Sequence, residues 1–109
     1  MSRMKEIVNV SDFISEDVQN KLEILSNVKA DSYTITDRGI KFTFENSLQA
    51  NQCQIIKYHN RIIVEFRKKT DNLIEGKVDQ LVFEDVIKPQ EFQTVFEQQT
   101  GVYLSYLGL

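Results

Sequence analysis

The chain has no Trp, one Cys, one His, one Pro and four Gly in 109 residues. Each scarcity excludes something. A lone Cys53 cannot close an internal disulfide, so nothing points to an oxidising compartment. One Cys and one His fall short of the ligand sets of the usual zinc sites, and no metal or other cofactor is expected. The glycines stand isolated at 39, 76, 101 and 108, so neither a phosphate loop nor a dinucleotide fingerprint is present. So little Pro and Gly also argues against a linker or low-complexity segment. No apolar run approaches the roughly 20 residues of a membrane span. The opening "MSRMKEIVNV" lacks the apolar stretch of a signal peptide. These absences together predict a cytoplasmic protein.

What is present is ordinary for a soluble domain: 41% hydrophobic and 27% charged residues, with a formal net charge of -3. The length predicts a single domain, 1–109, able to bury a core without covalent staples. Charge is banded along the chain. Residues 50–69 carry five basic groups and one acidic group, whereas residues 70–109 carry two basic and seven acidic. A band of that kind can mark a binding surface, internal ion pairing or self-association.

Periodicity predicts the elements. A short β-branched strand is expected at 6–10. Ser15 is a good N-cap for a helix over about 15–28, with Ile14, Val18, Leu22 and Leu25 as its buried stripe. "SYTITDRGIKFTFEN" alternates and predicts a hairpin turning at Arg38-Gly39, with Ile35 opposite Phe42 and Tyr33 opposite Phe44. Gly39 there would supply a positive φ. "CQIIKYHNRIIVEFRKK" predicts a second hairpin turning at His59-Asn60, pairing Ile55 with Val64, Cys53 with Phe66 and Ile56 with Ile63. Residues 70–79 read as a turn-rich connector, and "QLVFEDV" as a strand with Leu81 and Phe83 on one face. "KPQEFQTVFEQQTG" predicts a helix that starts at Pro89, buries Phe92, Val95 and Phe96, and ends at Gly101. The apolar "VYLSYL" is expected as a last strand. Strands joined by hairpins, with helices at the two ends, predict an α+β fold: an antiparallel sheet with both helices on one face.

Candidate chemistry is sparse. A Cys–His dyad requires contact within about 3 Å, yet Cys53 and His59 lie six strand residues apart, about 20 Å at roughly 3.3 Å each. Glu84 and Asp85 are adjacent on a strand and point to opposite faces. No enzymatic activity is expected. The basic hairpin 57–69 offers a single-stranded nucleic-acid surface as an alternative. Alternation splits its cations between faces, however, and a pI of about 5.1 runs against that reading. A third reading is a ligand-binding or enzymatic domain with a pocket between sheet and helices. The leading expectation is a protein-binding module, an adaptor, inhibitor or chaperone-like factor. Its contact surface would be the outer hairpin face: Ile56, Tyr58, Arg61, Ile63 and Arg67. The apolar tail residues Tyr103, Leu104, Tyr106 and Leu107 suggest a second interface, for instance in a homodimer.

Overall fold

A computed structural model describes residues 9–37 and 39–107, the side chains of Tyr106 and Leu107 excepted. Helix α1 (Glu16–Ser26) comes first. Five strands follow: β1 (Thr34–Ile35), β2 (Gly39–Thr43), β3 (Gln52–Tyr58), β4 (Arg61–Asn72) and β5 (Gly76–Ile87). Helix α2 (Phe92–Thr100) closes the order. The strands form one antiparallel sheet in chain order, and both helices supply core residues to a single face of it. The expected α+β architecture is therefore present.

Local chemistry sets the helix ends. The Ser15 hydroxyl accepts from the Val18 amide at 3.3 Å, satisfying one orphan donor of the first turn. Asn27 ends α1 in the left-handed region at φ 56°, a conformation Asn tolerates better than most residues. The loop at 45–46 then returns to cap the same end. Asn46 Nδ2 donates to the Leu25 carbonyl at 2.6 Å, and the Glu45 amide donates to the Ser26 carbonyl at 3.0 Å. Before α2, Pro89–Glu91 forms a 3-10 turn. Gly101, at φ 74°, ends the helix.

The core lies between the helices and the inner sheet face. Val18 and Leu22 of α1 and Phe92 and Phe96 of α2 are buried against Ile40, Phe42, Cys53, Ile55, Val64 and Phe66. Ile14 is buried and Leu25 half-buried, so the α1 stripe is as its spacing implied. Aromatic rings bind the layers together. Phe96 lies 5.1 Å from Phe44 and 6.0 Å from both Phe66 and Phe92, in the tilted geometries aromatic pairs favour.

Several expectations require correction. In the first hairpin Ile35 meets Ile40 instead of Phe42. Because the slip is by two residues, every side chain keeps its face, and Tyr33 packs on Phe42 at 5.1 Å. Gly39 is drawn into β2 by a close approach, since its backbone lies against the Ile55 carbonyl and a Cβ would sit 2.9 Å from Ile56 Cα. Its φ is not in the positive range. The expected connector at 70–79 is mostly strand: the β4–β5 ladder runs out to Asn72↔Gly76. Asn72 Oδ1 accepts from the Ile74 amide at 2.7 Å, and Gly76 has φ 77°, so this short loop closes by side-chain capping and a left-handed glycine. A register shift at Phe66/Arg67 places Phe83 opposite Phe66 but Leu81 opposite Arg67. Leu81 and Phe83 thus occupy opposite faces. Lastly, the tail is a 3-10 turn at Leu104–Leu107, not a strand. Leu104 anchors it in the core, and the turn packs on α1. Of the expected strand at 6–10, residues 6–8 lie outside the described part, and Val10 opens a 3-10 turn.

Candidate interaction surface

The outer face of the sheet is built by strand alternation. In the second hairpin all seven pairs, from Gln52↔Arg67 to Tyr58↔Arg61, take the expected register. The chain reverses with His59 in the left-handed region at φ 58°. Cys53, Ile55, Ile62, Val64 and Phe66 then point into the core. Gln54, Ile56, Tyr58, Arg61, Ile63, Glu65 and Arg67 point outward.

Reading across the sheet, Gly39 pairs with Ile56, Ile56 with Ile63, and Ile63 with Val86. An apolar row therefore crosses four strands on the face that the helices leave open. Gly39 is buried and contributes no side chain, so the exposed part of the row begins at Ile56. Ile56 and Ile63 are half-buried by their neighbours, while Val86 at the sheet edge is exposed. Tyr58 extends the patch toward the turn with 49% of its surface exposed, and its ring meets His59 edge-on at 4.8 Å. Arg61 stands opposite Tyr58, exposed and outside every ion pair of the described residues.

Arg67 behaves differently. Its Nε lies 2.7 Å from Glu65 Oε1 and its Nη1 3.1 Å from Asp79 Oδ1. These hydrogen bonds, that to Glu65 first, push the guanidinium pKa up from its ordinary value. Lys69 Nζ adds a looser contact to Asp79 at 3.9 Å. Arg67 is thus on the expected face but internally neutralised, whereas Arg61, and Lys41 opposite Gln54 on the same face, take part in no ion pair of the described residues. Lys57 belongs to the opposite face, where its ammonium lies 5.8 Å from the centre of the Phe13 ring, a cation–π arrangement. The five cations of 57–69 therefore do not form one stripe.

The remaining candidates separate. Leu104 is fully buried in the chain's own core, so it has no surface to offer an interface. Tyr103 is half exposed, and the side chains of Tyr106 and Leu107 lie outside the described part. Cys53 is wholly buried, and burial pushes its thiol pKa well above the ordinary range. His59 sits exposed at the hairpin turn. Among the described residues, no group of three or more His, Cys, Asp or Glu is arranged to hold a metal ion. No helix among them is long and apolar enough to cross a membrane. A hollow of about 430 Å³ lies beside the end of α1, lined by groups including Lys29, Ser32, Glu45, Asn51 and Lys69. Another of about 460 Å³ lies between the first turn of α1 and Pro89. Neither holds a nucleophile paired with a base.

Val86 escaped the sequence reading even though its signal was there. Counting outward from the buried-face Phe83 puts residue 86 on the same side as Ile63. The inversion of Leu81 had no such signal, because a bulge is invisible to an alternation rule.

No protein-family model, curated protein or solved structure matches this chain.

Proposed function

We propose that this domain is a non-enzymatic protein-binding module that docks its partner on the outer face of the sheet. The single observation that carries this reading is the Ile56–Ile63–Val86 row, unopposed by either helix and bordered by Tyr58 and Arg61. Apolar centres with Tyr and Arg at their margins are the usual composition of binding hot spots. The chemistry specifies the partner in outline: a protein surface with an apolar centre to cover Ile63 and a carboxylate within reach of Arg61. Arg67 contributes little, because its charge is already met by Glu65 and Asp79.

The test is affinity capture from the native host with wild type and Ile63→Asp, with thermal unfolding of both proteins alongside. A half-buried outer position tolerates Asp with a modest loss of stability. The expected result is a folded variant that no longer retains the partner held by wild type. A folded Ile63→Asp that retains every wild-type partner contradicts the proposal.

A further inference from the structure

The β4–β5 hairpin outruns the rest of the sheet. β3 pairs with β4 only as far as Gln52↔Arg67, and the Asn51 side chain then closes that edge. Asn51 Nδ2 donates to the Lys69 carbonyl at 2.6 Å, and Asn51 Oδ1 accepts from the Lys69 amide at 2.8 Å. Beyond this point residues 70–78 form a two-stranded ribbon. Its tip carries Leu73 and Ile74, which are 106% and 93% exposed. Leu81 and Val82 at the root of the ribbon are exposed as well. Two strands alone are marginal in water, and a long bare edge is a template for further pairing.

The charge pattern of β5 identifies what would pair there. A two-fold axis perpendicular to the sheet makes two β5 edges antiparallel and keeps both outer faces on one side. Each residue must then meet one of its own face, so the axis passes through a residue and not between two. Centred on Lys77, the pairing sets two lysines opposite each other; centred on Asp79, it sets two aspartates opposite. Centred on Gln80, it leaves Asp79 facing Leu81 with no charge matched. Centred on Val78, it sets Lys77 opposite Asp79 twice, Val78 opposite its own copy and Gly76 opposite Gln80, all within β5 and short of the bulge. Registers further along run into the bulge at 81–83. Lys77 stands opposite Asp71 on β4 but takes part in none of the ion pairs of the described residues, so its ammonium can reach across the free edge.

We propose that a second copy of this chain is the occupant of the free β5 edge, paired antiparallel about Val78 so that two five-stranded sheets join into one. Opposite charges facing each other across strands stabilise a pair, and like charges destabilise it. The interface is separate from the Ile56–Ile63 face, so the dimer presents two outer surfaces on the same side.

Sedimentation equilibrium and native mass spectrometry test this. Wild type is expected to dimerise. Lys77→Asp and Asp79→Lys are each expected to weaken self-association by about tenfold or more, since two attractive pairs become two repulsive ones. An equimolar mixture of the two variants is expected to recover a dimer of mixed mass, because the pairs are again opposite in sign. Asp79 also serves Arg67, so Asp79→Lys can be compromised in folding. Lys77→Glu alone then suffices: Lys77 is exposed, belongs to no ion pair of the described residues and faces only the exposed Asp71 on β4, so the variant should remain folded and monomeric. Ile63→Asp should leave the dimer intact, which separates this interface from the docking face. A wild-type monomer at high concentration overturns the proposal. So does a dimer indifferent to reversal at Lys77, or a mixture of folded variants that fails to recover one.

Discussion

Replacing Gly39 by Ala tests why a glycine stands there. Its added Cβ would collide with the Ile55 carbonyl oxygen and lie 2.8 Å from the carbonyl carbon and 2.9 Å from Ile56 Cα. All three are backbone atoms, so no rotamer change relieves the contact. β2 must move away from β3 where Gly39 pairs with Ile56 and Ile40 with Ile55. Overpacking of this severity costs about 3 kcal/mol. The lost flexibility of the unfolded chain offsets up to about 1 kcal/mol of that. The net destabilisation is about 2 kcal/mol, or roughly 8 °C in Tm for a domain of this size. Gly76→Ala is the control. Gly76 has φ 77° with nothing within 4 Å of an added Cβ. Its left-handed strain of about 1 kcal/mol is largely cancelled by the same unfolded-state term. Urea unfolding of the two variants should rank Gly39→Ala well below Gly76→Ala. Equal stabilities, or the reverse order, would refute the close-approach explanation.

Three further outcomes follow from the core. Phe96→Ala should lose about 3–5 kcal/mol in urea titration, because Phe96 is fully buried among Phe44, Phe66 and Phe92. Cys53 should resist iodoacetamide in the native protein and react readily in denaturant, since burial raises its pKa and shields it; rapid native labelling would contradict its placement. Burial pushes the Tyr33 hydroxyl from 10.0 up to about 12, and that hydroxyl has no hydrogen-bond partner among the described residues. The unfolded chain therefore releases this proton first. The corresponding stability is complete below about pH 10 and falls as pH rises toward 12. Tyr33→Phe should lessen that alkaline fall without loss of stability at pH 7, as followed by denaturant titration across the range.

How far the fold was legible depended on which physical constraint acted locally. The second hairpin could be read in full because His59-Asn60 supplies a turn and because Ile55, Val64 and Phe66 share one face. α1 was legible from Ser15 and its stripe, and α2 from Phe92, Phe96 and Gly101. The first hairpin slipped by two residues because a contact between Gly39 and a strand more than a dozen residues away outweighed turn preference. The ribbon was illegible as strand, since Lys68 to Asn72 has no apolar alternation and its pairing rests on the Asn72 and Gly76 loop. The tail misled because apolar residues in sequence say that a segment is buried, not which conformation buries it. On the candidate surface, Ile56, Tyr58, Arg61 and Ile63 share a face as alternation required. The neutralisation of Arg67 by Asp79, twelve residues away across β5, could not be seen until the strands were paired.

Oxidative side-chain footprinting of the domain alone and with its captured partner tests the docking face most directly. The account predicts that Ile56, Tyr58, Ile63 and Val86 become protected, while the exposed Ile24 and Leu48, remote from that face in the chain, react as before. Protection confined to Tyr103 or to the ribbon tip at Leu73 and Ile74, with Tyr58 and Ile63 unchanged, would contradict it.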